Sequence, residues 1–279
     1  MKRNWLSYMC MAALLSGALT SCNESSFLNL SDPNHFTESN FWKDKADAES
    51  ALAAAYSPIK GAMYGYFGAF DGWLNLNGRG DDIFTIKGEE VPMWNIANFL
   101  NSPSTGNDPY GALYSGIQRA NIVLRYIDQV PASGITEEDR SMIKGEALFL
   151  RGYQYFLLVN NYKEVPLRLI PSNEDETNKG PATEAALWTQ VEEDLGNAIK
   201  CNLPVERTTA KERVTKGAAI AMLGKVYATQ HKYPEAKQLL GTLLKAPYSY
   251  ELVDNFGKNF TNEDEFNKES VYEIAYSPD

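Results

Sequence analysis

Leu223-Gly224-Lys225-Val226-Tyr227, followed by Tyr233-Pro234-Glu235-Ala236 and then by Leu240 and Leu243, decides how this chain must fold. Within the stretch from Thr215 to Lys245, small and large residues recur at a three-to-four spacing, the mark of helices with one apolar face. Gly224 and Ala236 are expected where two such helices touch, because only small side chains permit so close an approach.

These are the positions that a tetratricopeptide repeat uses to interlock its two antiparallel helices. Repeats of this kind need stacked neighbours to bury their faces, and the upstream sequence supplies candidates. Asp108-Pro109 offers an N-cap and a proline at the first helical position, and Tyr110, Leu113, Tyr114, Ile117, Asn121, Leu124 and Ile127 follow at helical spacing. Thr136-Glu137-Glu138-Asp139 opens the next helix with acids where the macrodipole favours them. Its expected stripe is Met142, Phe149, Tyr153 and Phe156, flanked by Ile143, Ala147, Leu150 and Leu157. Thr183 caps a further helix through Ile199, with Leu187, Val191, Leu195 and Ala198 on one side and Glu192-Glu193-Asp194 as its solvated face. The fold class is therefore mostly α: a tetratricopeptide-like helical repeat scaffold over 108–245, with long irregular loops and little strand.

Ahead of these helices, Leu28 to Asn40 reads as an extended leader, with Asn40 as a possible cap for a helix carrying Leu52, Tyr56 and Ile59 and ending near Pro58. Gly61 to Asn107 has no helical period but is dense in Gly, Asn and aromatic residues, among them Trp73, Phe84, Trp94 and Phe99. Long irregular segments inside a compact domain are often functional. Near the end, Ser270 to Tyr276 alternates like a strand.

The N-terminus points to export. Lys2 and Arg3 precede a mainly apolar run from Leu6 to Leu19, which has the proportions of a signal-peptide core rather than a membrane span. It ends in Leu19-Thr20-Ser21-Cys22, which resembles the lipobox of bacterial lipoproteins, so 1–21 is expected to be removed and Cys22 to carry lipid. Of the three cysteines, Cys10 would leave with the signal, so only Cys201 would remain as a thiol, expected as a small packing residue. No disulfide framework is then available. The formal charge is −10, and loss of Lys2 and Arg3 takes it to −12. Such a surface repels phosphate backbones, which argues against a nucleic-acid partner.

Several segments together resemble one family, the SusD/RagB nutrient-uptake lipoproteins of Bacteroidetes outer membranes. Phe27-Leu28-x-Leu30, Phe41-Trp42, Asp47-Ala48 and Ala54-Ala55-Tyr56 are similar to the family's opening. Tyr114-x-x-Ile117-x-x-Ala120-Asn121-x-Val123-Leu124 is similar to its next helix. The most specific match is Gly145-Glu146-Ala147-x-Phe149-Leu150-Arg151-Gly152-Tyr153-x-Tyr155-Phe156, reaching Val165-Pro166-Leu167; Asp194-Leu195 and the 215–236 repeat complete the order. The resemblance implies a tetratricopeptide-like scaffold with a ligand site built by loops. It also implies a lid-like role over a TonB-dependent outer-membrane receptor, delivering glycan or peptide nutrients from a lipid-anchored, surface-exposed position. Members are usually much longer, so this chain is expected to correspond to their N-terminal half, with the next half starting near 270. Tyr162-Lys163-Glu164 stands where a glycine-containing turn is more usual.

For the ligand site, pyranose rings present flat C–H faces and a rim of hydroxyls, and so suit an aromatic platform beside planar polar groups. Trp73 and Trp94 are the candidate platforms, with Arg79, Asp81 and Asn98 as polar neighbours. The alternative is that both tryptophans pin the loop onto the helices. Arg151, inside a core helix, is expected to make a structural ion pair or hydrogen bond. His35 and His231 have no partners at ligand spacing, so neither a metal site nor a cofactor is expected. No nucleophile–base set is apparent, and the expected activity is binding without catalysis. A protein-interaction scaffold without its own ligand site is the competing reading.

Overall fold

Six α-helices run through the part of the chain that the computed structural model describes, residues 41–60, 80–81, 94–95, 97–100, 110–175 and 177–275. The signal segment, Cys22, Asn40, Trp73, Arg79 and the Asp108-Pro109 cap lie outside those residues. Residues from Trp42 onward belong to one unit. Its helices are α1 (Lys45–Lys60), α2 (Tyr110–Tyr126), α3 (Glu137–Tyr162), α4 (Glu184–Lys200), α5 (Lys216–Thr229) and α6 (Tyr233–Leu240).

Each helix packs against the next, and side-chain contacts at the ends fix their directions. Tyr110 at the start of α2 meets Tyr162 at the end of α3, ring centroids 5.2 Å apart. Lys163, just past α3, reaches Glu184 at the start of α4 (3.0 Å), while Asn202, past the end of α4, donates to Ser141 Oγ near the start of α3 (3.0 Å). Helices α2, α3 and α4 therefore run antiparallel in turn, the up-and-down order expected of stacked helical hairpins.

Local chemistry explains where these helices begin. Thr136, Thr183 and Thr215 each accept a backbone N–H from the third residue of their helix. This satisfies one of the four orphan donors of a helix N-terminus. At α1 the cap is Asp44 rather than Asn40: its Oδ1 accepts from Ala46 N (2.8 Å) and Asp47 N (3.2 Å), while Asp47 Oδ2 accepts from Lys43 N (3.0 Å). That reciprocal pair sets the helix start several residues later than the alanine-rich pattern suggests.

The central helix is α3. It does not present the single stripe expected from the sequence. It contacts α1, α2 and α4, and all but Tyr153 of Gly145 to Val159 are buried, whereas Met142 and Tyr153 are only partly covered. Gly145 and Gly152 show why α4 can lie so close. A Cβ on Gly145 would come 2.8 Å from Cys201 Cβ, and one on Gly152 would come 3.1 Å from Asp194 Cβ. Cys201 is thus a packing residue against α3, as its composition suggested. Gly224 does the same in the α5–α6 hairpin, where a Cβ would meet Leu240 Cγ at 2.5 Å.

Two further expectations change. Asp194 is not on a solvated face: it is 1 % exposed, although Glu193 beside it is exposed. Among the described residues no strand forms, and Val271 to Ala275 runs without a partner ladder. Alternation alone does not make a strand where no neighbouring backbone lines up to receive its hydrogen bonds.

The chain leaves α3 through a strained turn. Lys163 has φ 63° and ψ −77°, and Glu164 N donates to Tyr162 O at 2.8 Å. This is the γ-turn of positive φ, rare for a residue that carries a Cβ. Lys163→Gly is expected to raise stability by about 1 kcal/mol through relief of that strain, since the exposed Lys163–Glu184 pair it removes contributes little. A thermal melt of the two proteins checks this; an unchanged or lower midpoint would show that the turn is not strained.

Candidate functional site

Of the candidate site residues, Trp94 and Asn98 lie at the turn 94–100, and a cavity lies between α1 and the 272–275 segment. The two places are built differently. At the turn, Asn98 N and Asn98 Nδ2 both donate to Trp94 O (3.1 and 2.8 Å), and Leu100 N donates to Asn95 O (2.8 Å). Trp94 is half-buried, and Phe99 follows with φ 56° and 70 % of its surface exposed. The structure therefore brings Trp94 and Asn98 together on one helical turn, with the Asn98 amide hydrogens aimed at that turn's own carbonyl. Asp81 is exposed and makes no hydrogen bond or ion pair with a described residue. Phe99, which the sequence offered only as one aromatic among many, is the apolar face that this turn presents to water.

The cavity, about 360 Å³, has an apolar floor of Leu52, Ile59 and Ile274 and a polar wall of Glu49, Tyr56 and Arg213. The polar wall is held from behind by Glu146 of α3, which has no solvent exposure. Glu146 Oε2 accepts from Tyr56 Oη (2.5 Å) and Arg213 Nε (2.9 Å), and its Oε1 accepts from Arg207 Nη2 (2.7 Å) and Arg213 Nη2 (2.8 Å). Arg213 also pairs with Glu49 at 2.8 Å, and Tyr56 Oη in turn accepts from Val214 N at 3.0 Å. Four donors occupy the acceptor sites of one carboxylate. Glu146 is left no lone pair with which to take a substrate proton, and its work is to hold the wall.

The electrostatics follow from this closure. Burial and the adjacent Glu146 charge push the Tyr56 hydroxyl well above its ordinary pKa. Burial works to lower the Arg213 value, but the Glu146 hydrogen bond and charge outweigh it and raise it. Tyr272, which also lines the cavity, is raised by burial.

A second buried ion pair fixes the opposite side of α3. Arg151 donates to both Asp194 oxygens (Nε to Oδ2 2.8 Å, Nη2 to Oδ1 2.7 Å) and through Nη1 to Asn121 Oδ1 (3.0 Å). Asn121 Nδ2 then reaches the carbonyls of Arg168 (3.1 Å) and Ile170 (3.2 Å), and Tyr155 Oη donates to Arg168 O (2.8 Å). The structural role expected of Arg151 is thus realised, and the 165–170 segment is strapped across α2 and α3. His231 is exposed, with Nδ1 at 2.7 Å from Tyr233 Oη. Among the described residues no three His, Cys, Asp or Glu side chains gather closely enough to hold a metal ion, and no helix is long and apolar enough to cross a membrane.

The described residues form an all-helical scaffold of packed hairpins, and its relatives are identifiable. Residues 82–228 match the SusD-like family described as starch-binding and associating with the outer membrane, and the chain belongs to that family. It is 25 % identical over 246 residues to SusD-like protein P38 of Formosa agariphila, an alignment covering 86 % of this chain and 45 % of the relative. A SusD superfamily protein from Bacteroides vulgatus superposes with TM-score 0.74 at 31 % identity, covering 84 % of this chain and 50 % of that one. A laminarin-binding SusD-like protein superposes with TM-score 0.73 at 30 % identity, covering 83 % of this chain and 51 % of its own. The chain spans about half the length of the relatives it matches.

Two measurements test the Glu146 cluster. Glu146→Gln leaves two arginines short of their counter-charge, and removing one partner from a buried pair costs about 3–5 kcal/mol. Denaturant unfolding should show a loss of that order; a change below 1 kcal/mol, the range of ordinary surface pairs, would remove the cluster from its central position. The raised Tyr56 value gives a pH dependence as well. The folded protein keeps a proton that the unfolded chain releases near pH 10, so this contribution is complete below about pH 10 and is lost as pH rises through the folded value. Tyr56→Phe should make the alkaline fall in stability shallower, and an unaltered slope would contradict the assignment.

Proposed function

We propose that this chain carries the helical part of a non-catalytic outer-membrane lipoprotein that binds glycan nutrients and passes them to a TonB-dependent receptor. The observation that carries this reading is the family membership, joined to the likeness at 30 % identity to a protein that binds laminarin. The geometry agrees with it. The two buried carboxylate clusters are closed by their own donors, so neither offers a group for acid–base work. An exposed Phe99 beside Trp94 suits the C–H face of a sugar ring.

Asp81 and Asn98, with Trp73 and Arg79, remain candidates for the polar rim of that site. Cys22 would be the lipid anchor, each buried methylene of its chains contributing about 0.8 kcal/mol to membrane attachment. Surface exposure of the anchored protein follows from the same reading, because a nutrient must be met before it crosses the membrane.

Calorimetry with laminarihexaose on the lipid-free protein, using the longest reading frame that exists, tests the assignment. Phe99→Ala should weaken binding about tenfold, the value of one well-placed aromatic contact, with no change in melting temperature. Trp94→Ala should weaken it as well. The hexaose should be recovered intact by mass. Shorter products would overturn the non-catalytic reading, and undiminished affinity in both variants would move the site away from 94–100.

A further inference from the structure

A second cleft, of about 300 Å³, lies between the 205–215 link, the Tyr248–Tyr250 segment and the 266–273 segment. Every residue of its lining is among those described. Its construction is specific. Tyr248 and Tyr250 are stacked nearly parallel, centroids 6.1 Å apart with 12° between their planes.

Tyr250 is held in place by its hydroxyl. That group fills the space above Gly217, where a Cβ would lie 2.1 Å from it. The opposite wall is fixed by one backbone pair and two carboxylates: Glu251 N donates to Lys268 O (3.0 Å), Val253 N to Glu269 Oε2 (3.0 Å) and Phe266 N to Glu273 Oε1 (2.9 Å). Both tyrosines are only half-buried. Their rings form a fixed aromatic step bordering an open space.

The charges around that step are mixed and partly unspent. Arg207 is committed to Glu146 (2.7 Å) and Val214 O (3.1 Å), and Lys268 pairs with Glu251 (3.1 Å). Lys211 and Glu206 line the same cleft, are exposed, and make no hydrogen bond or ion pair with a described residue. One offers only donors and the other only acceptors. Glu273 lines the cleft as well, its Oε1 taken by Phe266 N, so an anionic ligand would meet two carboxylates against one ammonium. A hydroxyl both donates and accepts, so it can serve both. A cleft of this volume is at the small end of the range for ligand sites, about 300–1,000 Å³.

We propose that this cleft is a second binding site, separate from the 94–100 turn, for a neutral pyranose unit that stacks on Tyr248 and shares its hydroxyls between Lys211 and Glu206. The aromatic step receives the C–H face and the mixed-sign rim orients the ring.

Hydroxyl-radical footprinting of the Phe99→Ala protein, read by mass spectrometry, tests the site without relying on the first one. The probes are laminarihexaose, maltohexaose and, as a charged control, tri-galacturonate. Oxidation of Tyr248 should fall with at least one neutral hexaose and not with tri-galacturonate. Tyr248→Ala should raise the dissociation constant of that hexaose about tenfold. Lys211→Ala, at an exposed position that leaves the fold alone, should weaken it too and restore Tyr248 oxidation.

Protection confined to 94–100 in the unmutated protein would overturn the second site while leaving the proposed function standing. Protection by tri-galacturonate in preference to the neutral sugars would overturn the neutral assignment. Absence of protection at both places, with every probe, would overturn both readings.

Discussion

Glu146 is wholly buried, and its carboxylate accepts hydrogen bonds from Tyr56, Arg207 and Arg213. Three parts of the chain meet there: α1, the central helix α3, and the link that leads into α5. Taking a carboxylate out of water costs several kcal/mol, and an isolated partner would not offset that. Four donors with short, well-directed bonds do. The cluster consequently acts as a register mark, because only one placement of α1 and of the 207–214 link completes it. The Arg151–Asp194 pair serves the other side of α3 in the same manner, joining α4 to α3 and, through Asn121, to the strap at 165–170.

These two clusters explain which parts of the architecture were legible in the sequence. The helices were, because Thr136, Thr183 and Thr215 are caps in the literal sense and the apolar spacing behind them is regular. The close approach at Gly224 was legible too, whereas that of α4 at Gly145 and Gly152 emerges only from the structure. Burial of charge was not legible. Asp194 follows Glu192 and Glu193, and the run looks like a solvated face; the exception exists only because Arg151 arrives from a helix 43 residues away in sequence. Glu146 gave no signal of its own, since its partners Tyr56, Arg207 and Arg213 are scattered over more than 150 residues.

The geometry of the 94–100 turn was legible only in part. An irregular, aromatic-rich segment with amide and carboxylate neighbours pointed to sugar recognition, and Trp94 and Asn98 do share a turn. The side chain that this turn exposes most is Phe99, and its exposure depends on a positive φ. Nothing in a phenylalanine's identity announces that conformation, which is uncommon for any residue with a Cβ. Lys163 is a second case. There, the long side chain of a lysine gives no hint of the positive φ that its backbone adopts.

A separation of roles follows from where the polar groups are spent. The buried clusters are satisfied internally, so a ligand at the surface could neither recruit them nor disturb them without breaking the helix stack. What lies outside them is aromatic surface and rim groups: Phe99 and Trp94 on one segment, and Tyr248, Lys211 and Glu206 on another. Phe99, Lys211 and Glu206 can change with little cost to the scaffold, because exposed positions contribute little to stability. A fold organised in this way can keep Glu146 and Arg151 fixed while its ligand changes, since the residues that would choose the sugar are not those that hold the helices.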